Sequence, residues 1–487
     1  MSSTGKYSEN EIHRVLRERF DIEDFRASQL EIIQHTLSGR HGLVLMPTGM
    51  GKSLCYQLPA LLLPGLTLVL SPLISLMKDQ TDKLVERGID ATFINSSLSK
   101  GQREERYRRL AAGDYTIVFV APERFRKREF LDAVGSRAVS LLAVDEAHCV
   151  SQWGHDFRPD YSQIARFHEQ TGRPTLLALT ATATPSVQQD IIERSGLTPD
   201  TMRIFNEGVT RPNLSLAVED VLDETEKFER IADLLESEPG TSIVYFNLIK
   251  SIDRFAEFVD RSGHLKTKGG GRPYRVYHGR LDPGERRRVQ QEFIKSDRVR
   301  MLATNAFGMG IDRPDIRLIV HAEIPDSLEA YYQEIGRAGR DGLPSRCVLL
   351  YDQADLAVQM DFLQWKNPPA DFIRKTYALL ESLGESLPSY AYEDLQEKLV
   401  YKNKGDHRLQ TVLGLFDHHG VTTGSAEVGG LQLVGELPEE LVDPDYVAAK
   451  QQNDRQRLVD MVQYARADSG HRRIIHRYFG APDPDDE

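Results

Sequence analysis

Gly42-Leu-Val-Leu-Met46-Pro-Thr48-Gly49-Met50-Gly51-Lys52-Ser53 sets a continuous apolar run directly ahead of a glycine-punctuated loop that ends on lysine and serine. A strand, a loop and then a helix opening at Ser53 is the context a phosphate-binding loop requires. The curl through Thr48, Gly49, Met50 and Gly51 turns backbone N–H groups towards phosphate oxygens. Lys52 supplies a charge for the β and γ phosphates, and Ser53 a hydroxyl for Mg²⁺. Met46 stands where the GxxxxGK[ST] pattern has its first glycine, so a ligand-free glycine-rich turn is the competing reading of the bare pattern.

Further along, Leu141-Leu-Ala-Val144 leads into Asp145-Glu146-Ala147-His148, an apolar strand ending on two adjacent carboxylates. Such a pair alone is often a solvated turn; downstream of a phosphate loop it reads as catalytic. Asp145 is suited to hold Mg²⁺ through water, and Glu146 to orient and deprotonate the attacking water. His148 has no partner at ligand spacing and reads as a coupling or packing residue. Gln333-Glu-Ile-Gly336-Arg337-Ala-Gly339-Arg340 puts two arginines three residues apart, on one face if the segment is helical. Surface salt bridges are one outcome. The other is a catalytic set of Gln333, Arg337 and Arg340, with the arginines reaching across a cleft to the γ-phosphate and coupling closure to bound triphosphate.

Short apolar runs at residues 42–46, 67–71, 116–120, 140–145 and 175–180, separated by charged helix-permissive spacers, predict a parallel sheet covered on both faces. A second series at 242–246, 275–278, 299–303, 318–321 and 347–351 predicts another, with Arg211-Pro212-Asn213 near the joint. The fold class is therefore α/β, two parallel-sheet lobes over residues 1–207 and 208–352. Residues 262–273, with three consecutive glycines, read as a surface loop. Residues 353–480 read as a mainly helical accessory region, with helices broken at Pro368-Pro369. Within 385–435, two helices and a two-stranded flap predict a winged-helix-like unit, with a plain helical domain as the alternative. Residues 481–487 form a Pro-broken acidic tail.

The chain's 487 residues make about three domains' worth of sequence. Its three cysteines, Cys55, Cys149 and Cys347, lie far apart, which excludes a disulfide framework and a cysteine zinc cluster. No apolar run is long enough to span a bilayer and no signal peptide opens the chain, so a soluble cytoplasmic protein without membrane contact is expected. A net charge of -12 argues against indiscriminate nucleic-acid binding but leaves room for a local basic groove.

Taken in order, these segments resemble superfamily 2 helicases and, more narrowly, RecQ-family ATP-dependent DNA helicases with two RecA-like lobes. Phe25-Arg26-Ala27-Ser28-Gln29 is similar to the family's adenine-reading segment, which implies that Gln29 bonds the base edge and Arg26 supports the site. Met46 then matches the family's own form of the phosphate loop. Ser71-Pro72-Leu73, Ser75-Leu76-Met77 and Ala121-Pro122-Glu123-Arg124 resemble its DNA-tracking segments, and Ala178-Leu-Thr180-Ala181-Thr182-Ala183 its linkage motif. Ser151-Gln152-Trp153-Gly154-His155-Asp156-Phe157-Arg158-Pro159-Asp160-Tyr161 resembles the family's aromatic-rich loop. Trp153 and Phe157 offer flat faces to unstacked bases, and His155 and Arg158 contact phosphate or relay DNA binding. Residues 303–315 resemble the fifth motif, which implies Gly310 and Asp312 near the nucleotide and Thr304 near the DNA backbone. Tyr277-His278-Gly279-Arg280-Leu281 departs from the usual YHAGL.

The resemblance implies ATP and Mg²⁺ as cofactors and 3′ to 5′ translocation on single-stranded DNA. It also implies unwinding of tailed or forked duplexes in repair and recombination, alongside a single-strand-binding protein and other repair factors, by a monomer. Competing activities are an ATP-gated DNA clamp or annealing factor without net unwinding, and an RNA helicase. The family's zinc-binding domain is degenerate. His471-Arg472-Arg473 and Tyr478-Phe479-Gly480, within 454–480, are similar to the helix bearing its first ligand, but histidine replaces the cysteine and the three later cysteines have no counterpart before Glu487. No structural zinc is expected, since such a site needs four ligands; His471 would serve as one only if more chain followed. Residues 385–435 are the candidate replacement for the family's winged helix. Basic segments at 124–128 and 286–288 are candidates for the DNA groove.

Overall fold

A computed structural model of the chain describes residues 7–151, 161, 163–265, 273–308, 311–399, 406–426 and 429–481. Strands β1 (His41–Leu45), β2 (Leu66–Leu70), β3 (Ala91–Ile94), β4 (Ile117–Val120), β5 (Val139–Val144), β6 (Thr175–Thr180) and β7 (Met202–Asn206) form one sheet, ordered β3-β4-β2-β5-β6-β1-β7. Every pairing in it is parallel. Parallel neighbours need crossover helices, which cover both faces and leave no wet side. That is why β2 and β4 are buried along their whole length.

A second parallel sheet follows from β8 (Leu214–Asp220), β9 (Thr241–Tyr245), β10 (Arg275–Tyr277), β11 (Arg300–Ala303), β12 (Ile316–His321) and β13 (Ser345–Tyr351), ordered β10-β11-β9-β12-β13-β8. The two-lobe α/β expectation holds, and all ten apolar runs are strands to within one or two residues. β3, β7 and β8 escaped the sequence reading, and each lies at a sheet margin. Strand β7 buries Met202 and Phe205 and exposes its other three positions, and β8 is mostly half-exposed, so neither reads as a continuous apolar run. Residues 207–213 connect the lobes.

By internal packing the chain divides into two units. One holds both sheets and the terminal helix His471–Phe479; the other comprises Asp352–Gln463 with Asp326–Leu328. Of the 454–480 segment read with the accessory region, 454–463 group with it, while 464–480 group with the lobes, the terminal helix packing on β8. Its hold is polar as well as apolar, because Arg472 donates to backbone carbonyls of the connector. His471 opens this helix and packs edge-on against Tyr464 with ring centroids 4.9 Å apart.

In the second unit, helices Asp355–Lys366 and Ala370–Leu383 meet at the expected proline break. Helices Tyr392–Leu399 and Arg408–His418 precede an antiparallel hairpin of β14 (Thr422–Ser425) and β15 (Gly429–Leu433). This is the helix, helix, flap order expected for 385–435, with Ala370–Leu383 added as a third helix on the same core. Leu395, Leu409, Val412 and Phe416 are almost fully buried in it, together with Ile373 and Leu431. Phe416→Ala should cost about 3–5 kcal/mol, the usual loss for a fully buried phenylalanine. A shift in the urea unfolding midpoint measures it, and a loss under about 1 kcal/mol would mean this core is not packed as described.

Candidate nucleotide site between the lobes

Strand β1 delivers the phosphate loop at its carboxyl end, where Met46 N–H donates to Thr180 O at 3.0 Å. Gly49 and Gly51 take φ of +89° and +85°, values that L side chains rarely adopt, so the loop's curl depends on them. A Cβ at Gly51 would also lie 2.7 Å from Gln29 Nε2, so a side chain there would displace the Gln29 amide from its bonds to the loop. Helix Leu54–Leu62 starts immediately after, and the Ser53 hydroxyl makes no capping bond to it.

The buried Gln29 donates from Nε2 to Met50 O at 3.0 Å and Gly51 O at 3.1 Å, while its Oε1 accepts from Arg26 N–H at 2.9 Å. Arg26 Nη1 also donates to Gly49 O at 3.3 Å. The segment expected to read adenine is therefore fastened to the phosphate loop. A base contact by Gln29 requires these bonds to be exchanged. Phe25 packs edge-on against His13, with ring centroids 5.0 Å apart.

Beyond β5, Asp145 N–H donates to Leu70 O at 2.8 Å, which fixes the backbone as it leaves the sheet. Burial pushes the Asp145 carboxyl up to about 7; the neighbouring Glu146 charge adds to the rise and Lys52 opposes it. Glu146 sits at φ +50° and ψ +48°, a left-handed conformation held only where the surroundings impose it. That turn brings its Oε2 to 3.4 Å from His148 Nδ1, which is also 2.9 Å from Thr180 Oγ1 on β6. His148 is almost fully buried and bridges the acid to the linkage motif, a placement compatible with either the coupling or the packing role read from sequence. Tyr161 OH donates to Asp145 O at 3.3 Å. Trp153, His155, Phe157 and Arg158 lie outside the described residues, as does Gly310.

From the second lobe, helix Leu328–Ile335 and the turn after it carry Gln333, Arg337 and Arg340. Arg337 is buried and donates to Gly308 O; Arg340 Nη1 donates to Ile311 O and Asp312 Oδ1, each at 2.9 Å. The Nε atoms of both arginines are buried with no hydrogen-bond partner among the described residues. Asp312 also meets Lys83 of the first lobe at 2.9 Å. Burial opposes its ionisation, but Lys83 and Arg340 hold the carboxyl below its ordinary range.

A cleft of about 320 Å³ joins these groups. Thr48, Gly49, Gly51, Lys52, Ser53, Asp145 and Glu146 wall it from the first lobe, and Asp312, Gln333, Arg337 and Arg340 from the second. The approach is close: a Cβ on Gly49 would lie 3.1 Å from Arg340 Cγ. Leu73, Leu76 and Gln80 also line it, so the segment likened to a DNA-tracking one faces the nucleotide cleft. Gln80 was missed, although the spacing 73, 76, 80 marks one helix face. Arg211, read from sequence only as a marker of the joint, lies against the same walls. Thr304 is buried at the end of β11, where its N–H donates to Tyr277 O at 3.2 Å; it is no wall of the cleft.

The donor set suits Mg²⁺. The Ser53 hydroxyl and a carboxylate oxygen of Asp145 are hard ligands, and the buried carboxyl's raised proton affinity marks a negative charge that the protein alone leaves under-compensated. Among the described residues, one grouping of three or more His, Cys, Asp or Glu has ligand atoms within 4.8 Å of one another: Asp233, Glu236 and His264, away from this cleft.

Residues 26–191 match the DEAD/DEAH box helicase family and residues 226–342 the helicase conserved C-terminal domain. The chain is 40% identical over 406 residues to the "Probable ATP-dependent DNA helicase RecS" of Bacillus subtilis, covering 83% of this chain and 79% of that protein. It is 39% identical over 396 residues to the ATP-dependent DNA helicase RecQ of Haemophilus influenzae, covering 81% of this chain and 61% of the relative. Against RecQ of Bacillus subtilis the identity is 42% over 353 residues, covering 72% and 58%. The chain thus spans about three fifths of the RecQ relatives' length. Its fold is shared with the DUF1998 helicase MrfA solved with DNA and AMPPNP, at TM-score 0.59 and 18% identity, covering 88% of this chain and 63% of that one. The Mycobacterium smegmatis helicase Lhr bound to single-stranded DNA and AMP-PNP gives 0.55 at 20% identity, covering 94% and 62%. With the motifs gathered in one cleft and this degree of identity along most of its length, the chain belongs to the RecQ-type family of ATP-dependent DNA helicases.

Proposed function

We propose that the protein is a DNA-stimulated ATPase that couples hydrolysis to 3′ to 5′ translocation on single-stranded DNA and to duplex unwinding in repair and recombination. The observation that carries this reading is the cleft itself. Lys52 and the acid pair of one lobe face Arg337 and Arg340 of the other, whose Nε atoms are buried without a hydrogen-bond partner among the described residues. An anion with charge on two sides, such as a triphosphate, satisfies both walls at once.

The roles follow from position. Backbone N–H groups of the loop and Lys52 bind the phosphates. Glu146, poised by His148 in a strained turn, takes the proton of the attacking water, and Arg337 with Arg340 stabilises charge spreading over the γ-phosphate. Mg²⁺, held by Ser53 and through water by Asp145, would neutralise the β and γ oxygens. Gln333 reaches the cleft beside the arginines and orients the same phosphate. The Tyr161 bond to the Asp145 carbonyl supports a path from the preceding aromatic stretch to the acids.

DNA contact is assigned to Trp153, His155, Phe157, Arg158 and Thr304, with the basic segments 124–128 and 286–288 tracking the backbone. Arg288 is less available than its neighbours, being paired with Glu285 and Glu292. Residues 352–463 carry 19 acidic and 10 basic side chains, so a winged-helix-like unit in this region is poorly matched to phosphate. Affinity for tailed or forked duplexes then rests on the lobes. No helix among the described residues is long and apolar enough to cross a membrane. A cytoplasmic monomer working with single-strand-binding and repair proteins completes the reading.

Displacement from a 3′-tailed duplex, compared with a 5′-tailed one, tests it directly. ATP-dependent displacement of the 3′-tailed substrate alone is expected. Strong DNA-stimulated hydrolysis without displacement would favour a clamp, and stimulation by RNA over DNA an RNA helicase. Lys52→Ala should abolish turnover while DNA affinity persists, as read by nucleotide release and filter binding. Arg337→Ala should lower kcat by about 10³-fold or more, the usual worth of an arginine finger, with a much smaller change in ATP affinity. Trp153→Ala should leave basal hydrolysis intact and remove its stimulation by DNA; undiminished stimulation would take the aromatic stretch out of the coupling path.

A further inference from the structure

Arg211 lies in the connector between the lobes, and its guanidinium is spent entirely on backbone carbonyls from both sides of the nucleotide cleft. Nη1 donates to Thr48 O of the phosphate loop at 2.9 Å and to Gly336 O at 3.3 Å. Nη2 donates to Ala338 O at 2.8 Å and Gly339 O at 2.9 Å. These last three carbonyls bracket Arg337 and lead into Arg340. One rigid fork therefore fixes the distance between the loop that binds phosphate and the turn that carries both arginines. A lysine offers a point charge and cannot span the four acceptors with the same geometry.

The connector is itself held in place. Asn213 Nδ2 donates to Gly339 O and Leu343 O, each at 2.9 Å, and Tyr332 OH to Val209 O at 3.0 Å. The terminal helix His471–Phe479 supplies the remaining grip. Arg472 donates to Arg211 O and Pro212 O, each at 3.3 Å, and to Leu214 O; His476 Nε2 is 3.1 Å from Thr210 Oγ1. Tyr332 and Phe479 pack with ring centroids 5.2 Å apart beneath it.

We infer that Arg211 is a positioning residue for ATP hydrolysis, a latch that closes only when the phosphate loop and the arginine-bearing turn are in register. The terminal helix sets that latch through Arg472. Three of the four acceptors lie in the second lobe and the connector runs into β8, so lobe opening breaks the Thr48 bond first and leaves the others intact. The latch adds to closure without touching the nucleotide. His471-Arg472-Arg473, in a region where the family's zinc ligands are not matched, thereby gains a role that needs no metal.

This inference rests on reading the cleft as an ATPase, so its test has a readout independent of turnover. The native cysteines are all buried. Cysteines introduced at the exposed Glu104 and Glu257, one on each lobe, therefore accept a fluorophore pair that reports lobe closure on addition of a non-hydrolysable ATP analogue with Mg²⁺. Arg211→Gln should reduce the closed fraction at least fivefold and kcat at least tenfold, while analogue affinity changes less than threefold and Tm stays near the parent's. Arg211→Lys should recover part of the closure. Arg472→Gln should give the same split at smaller size, and combining it with Arg211→Gln should add nothing, because it acts through that residue. Full closure by Arg211→Gln, an additive double variant, or a parallel fall in affinity and Tm would each overturn the latch. Normal closure by the parent without hydrolysis would instead sink the ATPase reading, and with it the role of Arg211 in turnover, while the loss of closure in Arg211→Gln would still establish the latch between the lobes.

Discussion

Cationic side chains on both walls of one narrow cleft, each set beside carboxylates, are the constraint on which the rest of the structure depends. Lys52 stands on one side, Arg337 and Arg340 on the other, and Arg211 bridges them. Burial and the neighbouring Arg337 charge already lower the proton affinity of Arg340. The protein offsets this only in part, through Asp312, which Arg340 shares with Lys83. A multiply charged anion supplies what is missing. The parallel sheets follow from the same need, because parallel strands gather their loops at one edge, where backbone N–H groups and side chains from distant segments can converge.

The charge of the whole chain reads differently once it is divided. Of the net -12, residues 352–463 contribute 19 acidic against 10 basic side chains, which leaves the remainder close to balance. An overall negative sum does not describe the charge carried by the lobes themselves. A near-neutral pair of lobes with basic segments at 124–128 and 286–288 is compatible with a salt-sensitive nucleic-acid groove. An acidic C-terminal unit is compatible with solubility and with partners other than phosphate.

How much of this was legible in the sequence depended on the range of the interaction involved. Central strands announce themselves, because burial on both faces demands unbroken apolar residues, and Leu66–Leu70 satisfies that with no structural knowledge. Edge strands do not: Met202–Asn206 mixes buried and exposed positions in no clean period. Local chemical motifs were equally plain, and Lys52, Asp145, Glu146, Gln333, Arg337 and Arg340 do line one cleft. Arg211 was opaque for a physical reason. Its partners are backbone carbonyls up to 163 residues away, and a carbonyl carries no side-chain identity for a pattern to reveal. Gln29 shows the converse, since the motif marked the residue but not its bonds to Met50 and Gly51.

Closure must be reversible if hydrolysis is to do mechanical work, and the strengths of the interlobe contacts bear on that. The Lys83–Asp312 pair is roughly half exposed on both sides and belongs with surface ion pairs worth about 0–1 kcal/mol. Arg211 to Thr48 O is a partly buried, charge-assisted bond, of a class worth about 1.5–3 kcal/mol. Neither alone, nor both together, reaches the roughly 5.5 kcal/mol needed to swing a two-state equilibrium from nearly all open to nearly all closed. On the proposed reading, a bound triphosphate supplies the difference through Lys52 and the two arginines. On the proposed reading, loss of the γ-phosphate removes the shared anion and leaves protein contacts too weak to hold the cleft shut. The same weakness that makes the closed lobes dependent on nucleotide is what allows each hydrolysis to release them.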